Sequence, residues 1–458
     1  MKAPIPFDGL AAEINRLTST NSIGRVSRVE AGVIHVSGLT HKARVGDLVA
    51  IRRKGTPLCG EILQLDDTSL VLLPDQTPDG VALNDRVALL GASGISPSNA
   101  WIGRIVDPLG QPLDGKPLLS GPVTHPLRRA PPDAGARRGL GDRMNTGMIA
   151  LNTMLPIVAG QRIGLFAGSG VGKSSLLGQL AQNMTSDVVV IAMVGERGRE
   201  LRHFVESVLG PEGLRRAVIV CATSDQSPLM RRRCAWAAMS VAEHFRDQGQ
   251  SVLLLADSIT RFAEAHREVA VAAGEAPVLR GFPPSTTHLI TSLCERAGPG
   301  QGTQGNITGV FSVLVAGSDL DEPIADILRG VLDGHVVLDR AIAERGRYPA
   351  IDVLKSISRS LPDAATQPQN ASISKARRLL SVYEENAMMI RAGLYSMGSD
   401  PEIDAAIQIW SDLDKLMAMQ ERDTIRESFT QLDLILRRVR TSSDVPASNG
   451  LRHHTSAG

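Results

Sequence analysis

The chain has 458 residues, long enough for two or three domains with a sizeable core. Its 49 Lys and Arg against 48 Asp and Glu leave a formal charge of +1, so nothing overall argues for nucleic acid or an anionic membrane as the main partner. The four cysteines, Cys59, Cys221, Cys234 and Cys294, are widely spaced without a CxxC pair, which speaks against a zinc site or disulfide framework and fits a reducing cytosol.

Residues 7–18 set Phe7, Leu10, Ala11, Ile14 and Leu17 at helical spacing behind a proline-bearing lead, with Asp8 as an early cap. So short an amphipathic helix is not stable alone; it either packs on its own domain or is ordered by a partner. The leader is charged too early for a secretory signal, and no apolar run reaches the roughly 18 residues of a membrane span. From Gly24 to about Leu90 the runs RVSRV, VIHV, LVAI, LVLL and RVALL, punctuated by glycines, predict a small β-barrel or sandwich. Residues 91–150 are rich in Gly and Pro. Their arginines, Arg128, Arg129, Arg137, Arg138 and Arg143, invite a nucleic-acid reading, but no aromatics are interleaved for base stacking. A crossover from barrel to centre is expected instead.

From about 150 to 360 apolar runs alternate with helical patterns. VVVIAMVGE, AVIVCAT, SVLLLADS, THLITSL and GVFSVLVAG read as strands buried on both faces of a mostly parallel α/β sheet. Beyond about 362 the pattern is helical only, with Ile403, Ile407, Trp410, Leu413 and Met417 on one stripe and Ile425, Phe429, Leu432, Leu436 and Val439 on the next. Residues 442–458 are polar and read as a disordered tail. The expected units are thus an N-terminal helix (1–20), a β-barrel (21–92), a mostly parallel α/β domain with its entry linker (93–360), a helical domain (361–441) and the tail (442–458).

Within that plan the stretch 163–175, IGLFAGSGVGKSS, reads as strand, loop and helix. Gly168, Ser169, Gly170, Val171 and Gly172 form a turn whose backbone N–H groups can converge on phosphate; Lys173 can reach the β and γ oxygens, and Ser174, followed by Ser175, can ligate Mg2+. The usual P-loop begins with Gly where this chain has Ala167, a departure the backbone absorbs if φ is negative there. The apolar run SVLLLAD ends in Asp257, a carboxylate at the sheet's carboxyl edge suited to Mg2+, and VVVIAMVGE ends in Glu196, placed to polarise a water.

MVGERGRE, the stretch from TSDQSPLMRRRC to LLLADSITRF, GFPPS, ITGVFSVLVAG and RYPAIDVLKSISRS together resemble the rotary-type ATPase superfamily that includes F1 catalytic subunits. Within it they are most similar to the type III protein-export ATPases of flagella and injectisomes, over roughly residues 20–440. The resemblance implies a homohexamer with ATP and Mg2+ at subunit interfaces, each subunit having an N-terminal β-barrel, a RecA-like P-loop domain over 93–360 and a helical C-terminal domain. It implies Lys173 and Ser174 on phosphate and metal, Asp257 as the Mg2+ carboxylate, Glu196 as the catalytic carboxylate, and Arg197 and Arg261 as charged positions around it. Arg359 in SISRS corresponds to an arginine finger supplied by the adjacent subunit, and Tyr348 to an aromatic stacked on adenine. Gly198 and Ser318 depart from the pattern without removing a catalytic group.

The implied activity is Mg2+-dependent ATP hydrolysis in flagellar protein export, with an injectisome ATPase as the alternative. GFPPS and ILRGVLDGHVVLDRAIAERGRYPAID set the chain apart from a synthase catalytic subunit. Residues 20–100 contain no Phe, Tyr or Trp, which disfavours an RNA translocase, and no specific nucleic-acid partner is expected. Implied partners are a stator-like regulator at the N-terminal helix, a central stalk protein, export chaperones with their substrates, and the export-gate membrane complex. The expected location is cytoplasmic, peripheral to the inner-membrane apparatus.

Overall fold

A computed structural model of the chain describes residues 14, 20–30, 32–278, 280–315, 321–421 and 423–439. The helix expected over residues 7–18 (apart from Ile14), Ser318 and the tail expected over 442–458 lie outside the described residues.

Six strands close a barrel: β1 (Ile23–Glu30), β2 (Val33–Ser37), β3 (Asp47–Ile51), β4 (Leu58–Leu65), β5 (Ser69–Pro74) and β6 (Arg86–Ala92), in the order β1-β2-β5-β4-β3-β6. The side-chain period of two points Ile34 and Val36, Val49 and Ile51, and Leu70 and Leu72 inward, where each is fully buried. Gly60 is required on β4, because a Cβ there would stand 2.6 Å from the Leu73 carbonyl oxygen. The strand at LCGEILQL was not among the expected runs: Glu61 and Gln64 interrupt its apolar pattern.

The crossover adds β7 (Gly94–Ile95), β8 (Arg104–Val106) and β9 (His125–Pro126), then the sheet strands β10 (Arg162–Ala167), β11 (Val188–Glu196), β12 (Ala217–Thr223), β13 (Ser251–Asp257), β14 (Gly298–Pro299), β15 (Asn306–Leu314), β16 (Gly334–Leu338) and β17 (Ile351–Ser358) follow. The central order is β17-β16-β10-β15-β13-β11-β12-β8, with β17 antiparallel on β16, β14 antiparallel on β15, and the other pairs parallel. The continuous apolar runs are explained by two covered faces. Val189, Ile191, Met193, Leu253 and Leu255 enter one core, with the helix Lys173–Asn183; Val188, Val190, Ala192, Val252 and Leu254 enter the other, with the helices Pro228–Asp247 and Ile259–Ala272.

One expected strand is corrected. THLITSL lies in the helix Ser285–Arg296, whose buried residues Thr286, Ile290, Leu293 and Cys294 fall on a three-to-four-residue period, although its threonines and isoleucine imitate a strand. The C-terminal helices Gln367–Arg391, Pro401–Met417 and Ile425–Leu436 join the first core through Ile373, Leu380, Ile409, Leu413, Leu416, Phe429, Leu432 and Leu436. The expected stripe on the middle helix is rotated: Ala406, Ile409, Leu413, Leu416 and Met417 are buried, and Trp410 stacks at the margin on Tyr383 with ring centroids 4.5 Å apart.

The arginines of the crossover are committed to the fold. Arg128 bonds Glu61 at 3.0 Å, Arg129 bonds Asp247 at 2.9 Å, and Arg137 and Arg138 donate to the carbonyls of Glu295 and Gln304. Arg143 donates to the Asn152 carbonyl at 2.5 Å and lies over the Phe429 ring. Each ties distant segments together, so the run is interdomain mortar and not an open basic strip. Among the described residues no helix is long and apolar enough to cross a membrane.

Candidate functional site

The glycine loop leaves β10 at Ala167, whose strand pairs with β15 on one side and β16 on the other. Ala167 is absent from the positive-φ positions, so the missing glycine leaves the strand end unstrained. Gly170 and Gly172 take φ of 78° and 88°, where a side chain would be strained, and the helix Lys173–Asn183 starts at once. Ser169, Ser174 and Ser175 are exposed at this turn, while Val171 is 2 % exposed and anchors it to the core.

Strand alternation brings the polar groups to the same face. On β13, Leu253 and Leu255 face the core beneath the Lys173 helix, so Asp257, two residues on, faces it too; Ser312 follows Val310 on β15 by the same rule. The Lys173 ammonium forms an ion pair with Asp257 Oδ1, and the Ser312 hydroxyl donates to that same oxygen at 2.7 Å. Asp257 is 3 % exposed, which requires such partners for a carboxylate. Ser312 escaped the sequence reading. Its signal was a hydroxyl inside the apolar run VFSVL, where a polar side chain needs a mate.

Glu196 reaches this face through a bulge. Regular alternation would put it with Val194, on the side of the helix Pro228–Asp247; the pairing of β11 with β12 slips between Val194 and Glu196, and Gly195, at φ 67°, is the extra residue. The slip moves Glu196 to the face of Met193 and the Lys173 helix. Burial, then the Asp257 charge, then a hydrogen bond with Glu200 push the Glu196 carboxyl up to about 7, with Lys173 opposing them. Arg261 packs its stem on Gly195: a Cβ at that glycine would lie 3.5 Å from Arg261 Cβ. Arg197 immediately precedes the helix Gly198–His203, its exposed side chain 3.4 Å from Glu200.

Tyr348 is also gathered in. Its ring lies against the loop, with Cδ1 3.1 Å from where a Cβ at Gly172 would stand, and half of its surface is open. Arg359 is not. Its N–H donates to the Asp333 carbonyl and its guanidinium to the Arg329 carbonyl, 3.0 and 3.1 Å away. Asp333 in turn braces Arg162, the first residue of β10. Arg359 therefore stands at the amino edge of the strand whose carboxyl end carries the loop, about 20 Å away for six residues at about 3.3 Å each.

Glycine loop, lysine, buried aspartate and half-buried glutamate lie together on one carboxyl edge of the sheet, the position where open α/β sheets bind ligands. Comparison with known proteins gives this arrangement a family. Residues 147–358 match the ATP synthase alpha/beta family, nucleotide-binding domain, and residues 365–433 match the T3SS EscN ATPase C-terminal domain. The chain is 43% identical over 437 residues to the flagellum-specific ATP synthase of Caulobacter vibrioides, covering 93% of this chain and 98% of the relative. To that of Salmonella typhimurium it is 39% identical, covering 94% and 97%. The structure of the assembled ATPase EscN from the enteropathogenic E. coli type III secretion system superposes with a TM-score of 0.82 at 34% identity, over 90% of this chain and 100% of EscN. EscN with its central stalk EscO gives the same values. Near-complete coverage by the relatives, matched in both the nucleotide-binding and the C-terminal regions, places an ATP-hydrolysing site in a known frame: the chain belongs to the flagellum-specific ATP synthase family of type III export ATPases.

Proposed function

We propose that the chain hydrolyses ATP at sites shared by adjacent subunits of a homohexamer, and so drives or primes the unfolding and export of flagellar proteins. The observation that carries the shared site is Arg359, an arginine too far from its own Lys173 to serve it and held at the outer end of the same sheet. In a ring, that edge meets the neighbour's loop. Flagellar relatives at 43% and 39% identity, against 34% for the injectisome ATPase, favour the flagellar assignment.

In this reading the loop from Gly168 to Gly172 and Lys173 hold the phosphates, and Tyr348 stacks on adenine. Glu196 orients a water and accepts its proton as the oxygen attacks the γ-phosphorus and the β–γ bridging oxygen departs with ADP. The neighbour's Arg359 would neutralise charge building on the phosphoryl oxygens, and Arg197 and Arg261 would shape the field around Glu196. The exposed Ser174 hydroxyl and the Asp257 carboxylate are hard oxygen donors that fit Mg2+. Bound there, Mg2+ would supply charge neutralisation to the phosphate oxygens. Before nucleotide arrives, Lys173 takes the place of that charge beside Asp257.

The same proposal takes in a central stalk protein, by analogy with the EscN–EscO complex, a stator-like regulator on residues 7–18, export chaperones with their cargo, and the membrane export gate. The protein would then work in the cytoplasm, at the inner-membrane apparatus. The direct test is Glu196→Gln: nucleotide binding should be retained while turnover falls by about a hundredfold or more, because the loss belongs to the transition state. Hydrolysis at the native rate would refute the assignment.

A further inference from the structure

Where the barrel, the crossover and the helix Pro228–Asp247 meet, they enclose a cavity of about 220 Å3 away from the glycine loop. Its charge is uneven. The Glu61 carboxylate, on the barrel, receives Arg128 at 3.0 Å, Arg232 at 2.9 Å and Arg233 at 3.1 Å. Asp47, the second carboxylate of the lining, is turned into its own loop, where it accepts the Arg44 N–H at 2.9 Å. Asp75 and Asp107 act on Arg233 from a separate cleft.

Donors are left over. Arg128, which lines the cavity together with Arg44, meets Glu61 through one terminal nitrogen, lies 4.7 Å over the Trp236 ring and is half exposed, so that its remaining N–H groups are not spent on Glu61. The Ser93 hydroxyl lines the cavity, buried and without a hydrogen-bond partner. Burial, with the neighbouring arginines adding to it, also holds the Arg232 and Arg233 guanidiniums below the usual arginine range. A buried hydroxyl with nothing to bond, beside guanidiniums crowded on one carboxylate, is a donor set lacking an acceptor, and planar guanidinium N–H pairs match oxyanions.

We propose that this cavity binds a phosphate-class oxyanion, either free inorganic phosphate or the phosphate of a small phosphomonoester. The volume falls below the roughly 300–1,000 Å3 that houses drug-sized ligands, which suits a small anion and excludes a whole nucleotide. A bound anion would bridge Arg128 of the crossover, Arg233 of the helix and Ser93 next to the barrel, and so fasten the barrel to the nucleotide-binding unit.

The experiment counts phosphate by equilibrium binding to the full chain, in chloride buffer without nucleotide, with Lys173→Ala in the background to disable the glycine loop. One saturable phosphate per chain is expected. Arg128→Gln added to that background should weaken it about tenfold or more, the scale of one hydrogen bond to a charged group. Ser93→Ala, which leaves all ion pairs in place, should weaken it by a smaller factor and guards against a folding defect in the arginine variant. Glycerol 3-phosphate is titrated in parallel. Tighter binding of the ester assigns a phosphomonoester, and tighter binding of phosphate assigns the free anion. Absence of saturable binding to either, or affinity unchanged in both variants, would overturn the proposal.

Discussion

Lys173 carries a structural duty that can be measured with no nucleotide present. Its ammonium is the charge partner of Asp257, and the two side chains are 11% and 4% exposed. Removing one member of a buried pair typically costs about 3–5 kcal/mol, because the other charge is left unpaired. Here the Ser312 hydroxyl stays on Asp257 at 2.7 Å and the ammonium lies near the surface, so about 2 kcal/mol is expected for Lys173→Ala. At about 2–4 °C per kcal/mol for a unit of 150–250 residues, the unfolding midpoint should drop by roughly 4–8 °C. The assay is thermal unfolding in nucleotide-free, chelator-treated buffer of the native chain, Lys173→Ala, Asp257→Asn and the double variant. If the pair is what is lost, Asp257→Asn in the Lys173→Ala background should recover part of the drop, with a coupling of about 1 kcal/mol or more. An unchanged midpoint for Lys173→Ala, or strictly additive losses, would refute the reasoning.

The acid limb of kcat/KM for ATP should lie near pH 7. Glu196 is held up to about 7 in the free chain and must be ionised to accept a proton, so activity falls tenfold per unit below that value; a limb near pH 4.5 would mean another group is the base. Tyr348→Ala should raise KM for ATP by about tenfold with little change in kcat, from loss of about 1–3 kcal/mol of stacking, and steady-state kinetics with ATP decide it. Arg359→Ala and Lys173→Ala subunits, each inactive alone, should regain activity on mixing, since some interfaces then join an intact loop to an intact arginine; no recovery in mixed assemblies that do form would exclude the shared site.

What the sequence could reveal depended on how local the chemistry is. The glycine loop lies in thirteen consecutive residues, 163–175, and Asp257 ends an uninterrupted apolar run, so both could be read directly. Ser312 could not, because its importance comes from a strand neighbour 55 positions away. Gly195 was visible as a residue, but the slip that redirects Glu196 needs the partner strand β12 before it can be seen. Arg359 was reached only through the resemblance, since nothing local separates it from Arg329. THLITSL shows the opposite failure, in which β-branched composition outweighed a helical period that was present in the spacing. The crossover arginines looked like a surface feature because their acceptors, Glu61, Asp247 and the carbonyls of Glu295 and Gln304, are far along the chain.

The core that runs from beneath the Lys173 helix into the C-terminal helices limits how the chain can be divided. Cutting after β17 would uncover Met148, Ile149 and Leu151, which now pack in the same cluster as Leu413, Phe429 and Leu432. An exposed apolar area of that kind invites aggregation. Expressing the catalytic portion alone would therefore call for polar replacements on that face. Genetic deletions of the C-terminal helices should accordingly deplete the protein from the cell through insolubility and proteolysis before any defect in export is reached.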